Sequence, residues 1–170
     1  MSTIPSEDSG TYGWEKAVRI GSLTVVVGLM LAGLVGFLGV RTSHASASEG
    51  GITLSVEHAT ITRPGLATPF AMVIESIDGS ALPPTVTTRV ASEYLAMFDE
   101  NGLDPDPASS FQSDRWTWWT FEVPEGSSVL EVSFDARVEP GVQWGRSATA
   151  AVELEGQQAV AVDFATWVLP

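Results

Sequence analysis

The sequence predicts an all-β protein: an antiparallel immunoglobulin-like β-sandwich of 7-8 strands, preceded by one N-terminal transmembrane α-helix. Three observations predict it. A stretch from Ile20 to Val40 holds no charged residue. After residue 51, apolar residues recur at every second position, which marks strands with one buried face. Turn residues then interrupt that alternation at intervals too short for helices, as in a sandwich of short strands. Neither βαβ alternation nor a solenoid-length internal repeat is present.

Residues 1-18 form a polar tail expected to be disordered. Tyr12 and Trp14 stand just before Lys16 and Arg19, where amphipathic rings and cations gather at a bilayer surface. Residues 19-41 are expected to cross the membrane. The 21 positions from Ile20 to Val40 span about 31 Å as a helix, close to the ~30 Å hydrocarbon core of a bilayer. That length exceeds the apolar core of a signal peptide and favours an uncleaved anchor. Ala45-Ser46-Ala47 forms an A-x-A pattern, so cleavage after Ala47 is the alternative. Lys16 and Arg19 before the span outweigh Arg41 after it, which favours a cytoplasmic N-terminus and an extracytoplasmic domain. Within the span, Gly28, Ala32 and Gly36 recur every fourth position and make a strip of small residues. Such a strip lets two helices approach closely in lipid, so a membrane-protein partner or a second copy is the expected contact.

Residues 42-51, TSHASASEGG, read as a small, polar, flexible linker with His44 solvated. Residues 52-170 form the exported domain. Ile52, Leu54 and Val56 share one face, and His58 continues that inward phase. Phe70, Met72 and Ile74 follow after the Pro64-Gly65 break, and Thr85 to Ala91 is rich in Thr and Val. Tyr94 to Phe98 fits a strand or a helical turn. Leu130, Val132, Phe134, Ala136 and Val138 alternate with polar residues, as do Ala148 to Leu154 and Val160 to Val168. Asn101-Gly102, Pro124 to Gly126, Pro140-Gly141 and Glu155-Gly156-Gln157 read as turns.

Composition excludes several functions. The net charge is −13 and its surplus lies entirely beyond the span. Nucleic-acid binding needs a basic face, so none is expected. The same charge argues for repulsion from anionic headgroups and a domain solvated above the bilayer. The chain contains no cysteine, which rules out disulfides, thiolate metal sites and a cysteine nucleophile.

Two stretches carry the candidate chemistry. The acidic loop Phe98 to Pro107 offers Asp99, Asn101, Asp104 and Asp106 as oxygen ligands for calcium. Its glycine falls too early for an EF-hand, and no closing glutamate follows; turn chemistry explains it better, and no metal or cofactor is expected. In Arg115-Trp-Thr-Trp-Trp-Thr-Phe-Glu-Val123, Trp119, Phe121 and Val123 share one strand face and belong in the core. Trp116 and Trp118 then fall on the outer face as candidate contacts for a protein or a sugar, unless Trp144 and Trp167 cover them. No catalytic motif is present, so the chain is not expected to be an enzyme.

The apolar anchor, the Ser/Ala stretch, Arg-Pro-Gly-Leu-Ala-Thr-Pro-Phe, Phe-Asp-Glu-Asn-Gly-Leu-Asp-Pro-Asp-Pro, Trp-Trp-Thr-Phe and Phe-Asp-Ala-Arg at 134–137 follow one another in that order. In this it resembles bacterial single-pass proteins that carry an exported immunoglobulin-like β-sandwich. The resemblance implies the architecture above and brings no activity with it. One lysine against seven arginines is similar to chains from high-GC genomes. The expected function is an interaction or accessory module of a membrane complex, with a glycan- or ligand-binding module using Trp116 and Trp118 as the alternative.

Overall fold

The structure, a computed structural model, describes residues 9–34, 39–142, 144–154 and 157–169. The chain separates into two compact units, Met1–Gly39 and Val40–Pro170.

The first unit is helix α1, Ser9–Leu34. Gly13–Leu34, 22 residues, is long and apolar enough to cross a membrane. Its two hydroxyls are satisfied inside the helix: Ser22 Oγ donates to the Arg19 carbonyl at 3.0 Å, and Thr24 Oγ1 to that of Ile20 at 2.9 Å. Polar groups paired this way do not oppose burial in lipid. The helix corrects the expectation of a disordered tail for residues 9–18. Extending an existing helix fixes one residue per new hydrogen bond, so the apolar segment can propagate back through Trp14.

The second unit is all-β with one helical turn. Its strands are β1 (Arg41–Glu49), β2 (Ile52–Thr62), β3 (Phe70–Ser76), β4 (Thr85–Ala91), β5 (Phe98–Asp104), β6 (Ser109–Gln112), β7 (Trp116–Glu122), β8 (Val129–Val138), β9 (Arg146–Leu154) and β10 (Gln157–Val168). Helix α2, Ser92–Leu95, resolves the ambiguous Tyr94 region as a turn of helix. The strands hydrogen-bond in the order β5-β8-β3-β2-β10-β9-β4-β7-β6, with β1 added on β2. One short parallel pairing, Trp167 with Ile61 and Val168 with Thr62, joins two antiparallel halves. The result is ten strands in one curled sheet, where 7-8 were expected.

The curl brings the inner faces together. Trp119 on β7 meets Phe134 on β8 with ring centroids 5.3 Å apart, and Phe70 on β3 meets Phe164 on β10 at 5.8 Å. Leu54, Val56, Met72 and Ile74 from one half, and Val86, Val90, Phe121 and Val152 from the other, complete the core. Tyr94 closes it. Thr166 Oγ1 donates to the Ala59 carbonyl at 2.6 Å, so the Tyr94 hydroxyl donates to Thr166 Oγ1 at 3.0 Å. Burial pushes the Tyr94 phenol up to about 12.

The flexible linker expected over residues 42-51 is corrected. It is strand β1 with its turn, paired with β2 from Glu49↔Ile52 onward. Gly50 and Gly51 both sit at positive φ, 61° and 84°. A two-residue loop of that kind matches the twist of a hairpin and sets its register. Ser43, Ala45 and Ala47 then point inward and are half-buried, Ala45 and Ala47 against the core. Composition alone resembles a tether because the inward side chains are so small. Asn101-Gly102, expected as a turn, lies within β5 at a bulge between Glu100 and Gly102. The turn expected at Glu155-Gly156 lies outside the described residues.

Candidate binding face on the outer sheet

The outer face of β6, β7, β4, β9 and β10 carries the candidate site. Registers Phe111↔Trp118, Trp118↔Arg89, Arg89↔Ala151 and Ala151↔Ala161 place these residues in one row across the sheet. Two positions along, Trp116 pairs with Ala91 and Thr149 with Asp163. A tight turn starts β7: the Ser113 amide donates to the Trp116 carbonyl at 2.8 Å, and the Trp116 amide to Ser113 Oγ at 3.2 Å. That turn fixes where Trp116 emerges.

Trp119, Phe121 and Val123 are buried, as the strand phase predicts. Trp116 and Trp118 are on the outer face, as expected, but half-buried, and each ring has a partner. The Arg89 guanidinium carbon lies 4.8 Å from the centroid of Trp116, and that of Arg115 lies 5.6 Å away. Both are within cation–π range. Phe111 packs on Trp118 with centroids 5.3 Å apart and is itself 64% exposed. Arg89 also pairs with Glu153 at 2.7 Å, while its Nε is buried without a hydrogen-bond partner among the described residues. The face is thus a layered strip of aromatic rings and guanidinium groups.

Beside Trp116 the sheet carries the small residues Ala91, Ser147, Thr149 and Ala165. The surface there sinks into a shallow trough of about 670 Å³ bounded by Trp116 and Arg115. Thr149 Oγ1 donates to the Asp163 carboxylate within it. The trough offers hydroxyl, carboxylate and guanidinium groups beside an indole.

Trp144 and Trp167 do not cover this strip. They flank a separate apolar depression with Pro64, Pro140 and Leu169. Gly145 places Trp144 there: a Cβ on Gly145 would lie 2.0 Å from the Thr166 carbonyl oxygen and 2.6 Å from Trp167 Cα, so only glycine permits that approach.

The other sequence candidates are distributed as follows. Asp99 and Asp104 lie on β5, paired with Arg137 and Ser133 of β8. Five residues of strand set them roughly 17 Å apart, so they do not converge on one ion, and no metal-binding cluster occurs among the described residues. His58 is a core residue, its ring 5.0 Å from that of Phe164. Gly28 and Ala32 lie on α1, where a Cβ added to Gly28 meets nothing within 4 Å in this chain. Gly36 lies outside the described residues.

Sequence reasoning missed Phe111, Arg89 and Arg115 as companions of the two tryptophans. The outward phase of Thr85 to Ala91 contained Arg89, but only strand order makes β4 the neighbour of β7.

No protein-family model and no curated protein matches the chain. Among solved structures it is similar to AvmM, which catalyses macrocyclization in alchivemycin A biosynthesis. The identity is 9% and the TM-score 0.37, over 78% of this chain and 90% of that one. It is also similar to ACE19, the collagen-binding subdomain of the Enterococcus faecalis surface protein ACE. There the identity is 10% and the TM-score 0.23, over 77% of this chain and 96% of that one. Neither likeness carries an argument about the site or its chemistry.

Proposed function

We propose that the chain is a single-pass, membrane-anchored extracytoplasmic module that binds a protein partner as an accessory part of a membrane complex. The domain is read as an immunoglobulin-like sandwich whose two five-stranded halves are joined at β2 and β10. The observation that carries the functional reading is the strip Phe111, Trp118, Trp116, Arg89 and Arg115 on one sheet face. Aromatic residues and arginine are the types enriched at the energetic centre of protein interfaces. The rings already lie against one another and against guanidinium groups, which favours a protein surface over bare sugar stacking. Gly28 and Ala32 supply a second contact surface within the bilayer. A cut after Ala47 would remove most of β1 from its ladder with β2, which supports an anchor that stays attached.

The test is purification of the tagged full-length chain from native membranes in mild detergent. A stoichiometric membrane protein should be retained, and Phe111→Ser with Arg115→Glu should release it without loss of fold. Recovery of the chain alone at monomer size would sink the reading. The trough beside Trp116 favours one alternative, a glycan held by Thr149, Asp163 and Arg115. Binding to a glycan array that disappears in Asp163→Asn would establish that alternative instead.

A further inference from the structure

The second tryptophan pair lies at the end of the domain where the chain enters it. Arg41 opens β1 and pairs with Ile61, and Ile61 also pairs with Trp167. The apolar stretch read as the anchor runs to Val40 in the sequence, and β1 begins at Arg41. Trp144 is 80% exposed, Trp167 66% and Leu169 42%. With Pro64 and Pro140 they surround an apolar depression of about 710 Å³.

The arginines gather at the same end. Phe70 pairs with His58 on one side and Phe134 on the other. Three residues farther along these strands come Ile61, Ala67 and Arg137, and Ala67 bridges Arg137. Arg63 lies two residues past Ile61, and Arg146 pairs with Thr166, next to Trp167. Four of the six arginines after residue 39 therefore lie at this end of the sheet. Among the described residues, Asp99 and Glu100, paired with Arg137 and Ala136, and Glu93 and Glu139 stand at the same end. The Arg146–Glu93 contact is long, at 3.8 Å, and solvent-exposed. The other acids spread over the strands and far turns, with Arg89 and Arg115 alone to offset them. The domain is strongly acidic as a whole, but not at the Arg41 end.

Exposed tryptophan beside arginine is the chemistry of the bilayer interface: indole settles at headgroup depth, and guanidinium pairs with lipid phosphate. We infer that the Arg41 end docks on the bilayer, with Trp144 and Trp167 seated among the headgroups of the membrane that anchors the chain. This rests on the anchor reading above. It reverses, for this end alone, the repulsion that the net charge predicts.

The test uses the full chain with Trp14→Phe, which leaves tryptophan only in the domain. It is inserted at one copy per nanodisc, in phosphatidylcholine–phosphatidylglycerol discs with and without bromine near the headgroup end of the acyl chains. Brominated lipid should quench the tryptophan emission. The quenching should vanish in Trp144→Ser with Trp167→Ser and persist in Trp116→Ser with Trp118→Ser. Insertion without quenching overturns the inference, and needs no variant of the patch. Quenching that survives loss of Trp144 and Trp167 overturns it equally. A chain that fails to enter discs refutes the anchor reading itself, and the docking with it.

Discussion

At the residue scale, Gly145 and Tyr94 show how single positions set the shape of the domain. A methyl group at Gly145 must displace the end of β10. Gly145→Ala is expected to cost about 1–3 kcal/mol, the usual range for forced overpacking, measured by urea unfolding. Trp144→Ala, next to it on an exposed side chain, should stay within about 0.5 kcal/mol. Tyr94 is fully buried and packs against Phe70, Phe98 and Phe164. Tyr94→Phe removes one hydrogen bond while Thr166 keeps its bond to Ala59, so a loss of about 1 kcal/mol is expected. The phenol also makes stability pH-dependent. Its folded value of about 12 lies above the ordinary 10, so the folded state holds the proton longer than the unfolded chain. The contribution is complete below pH 10 and is lost as pH rises towards 12. Unfolding of the native chain should weaken across that window, with a shallower slope in Tyr94→Phe. Asp78 acts in the opposite direction. Hydrogen bonds from the Ser80 hydroxyl, the Ser80 amide and the Ser76 hydroxyl hold its carboxyl down at about 2. Its contribution is present above 3.8 and is lost as pH falls from there towards 2.

Elements follow the same physics over longer stretches. The strands with large inward residues, β2, β3, β4, β7, β8, β9 and β10, were legible because Val, Leu, Ile and Phe alternate visibly with polar residues. β1, β5 and β6 were not. β1 buries only Ser43, Ala45 and Ala47, β5 carries an acidic turn signal at a bulge, and all four residues of β6 are exposed. These strands are recruited by backbone pairing with a neighbour, and a hydrophobicity pattern does not record that. The role of β1 can be measured. Ala45→Asp should destabilise the domain by about 1–3 kcal/mol, because it turns a charge towards the core. Ser46→Asp, one position along on the exposed side, should stay within about 0.5 kcal/mol. A flexible tether would tolerate both alike.

On the scale of the whole molecule, the total charge and its distribution point in different directions. The net charge of −13 is a sum over the chain. Strand order gathers Arg41, Arg63, Arg137 and Arg146, which are far apart in sequence, at one end of the sheet. Detachment from anionic vesicles is therefore expected to need more salt for the native chain than for Arg63→Glu with Arg146→Glu, read by flotation after the helix is proteolytically cut before Arg41. Equal salt sensitivity would mean that the arginines do not face lipid.

By itself, the sequence determined the properties that local order can encode. These are an apolar helix long enough to cross a membrane, an all-β domain after it, the inward set Trp119, Phe121 and Val123, and the outward set Trp116 and Trp118. Each depends on residues within a few positions of one another, where helix and strand periods act. Tertiary structure alone decided which strands became neighbours. It placed Arg89 and Phe111 against the two tryptophans, turned a supposed tether into β1, and separated Trp144 and Trp167 from Trp116. The physical reason is that strand pairing joins residues distant in sequence through backbone groups common to all of them. Side-chain pattern selects the face each residue occupies, and the closure of the sheet selects its company.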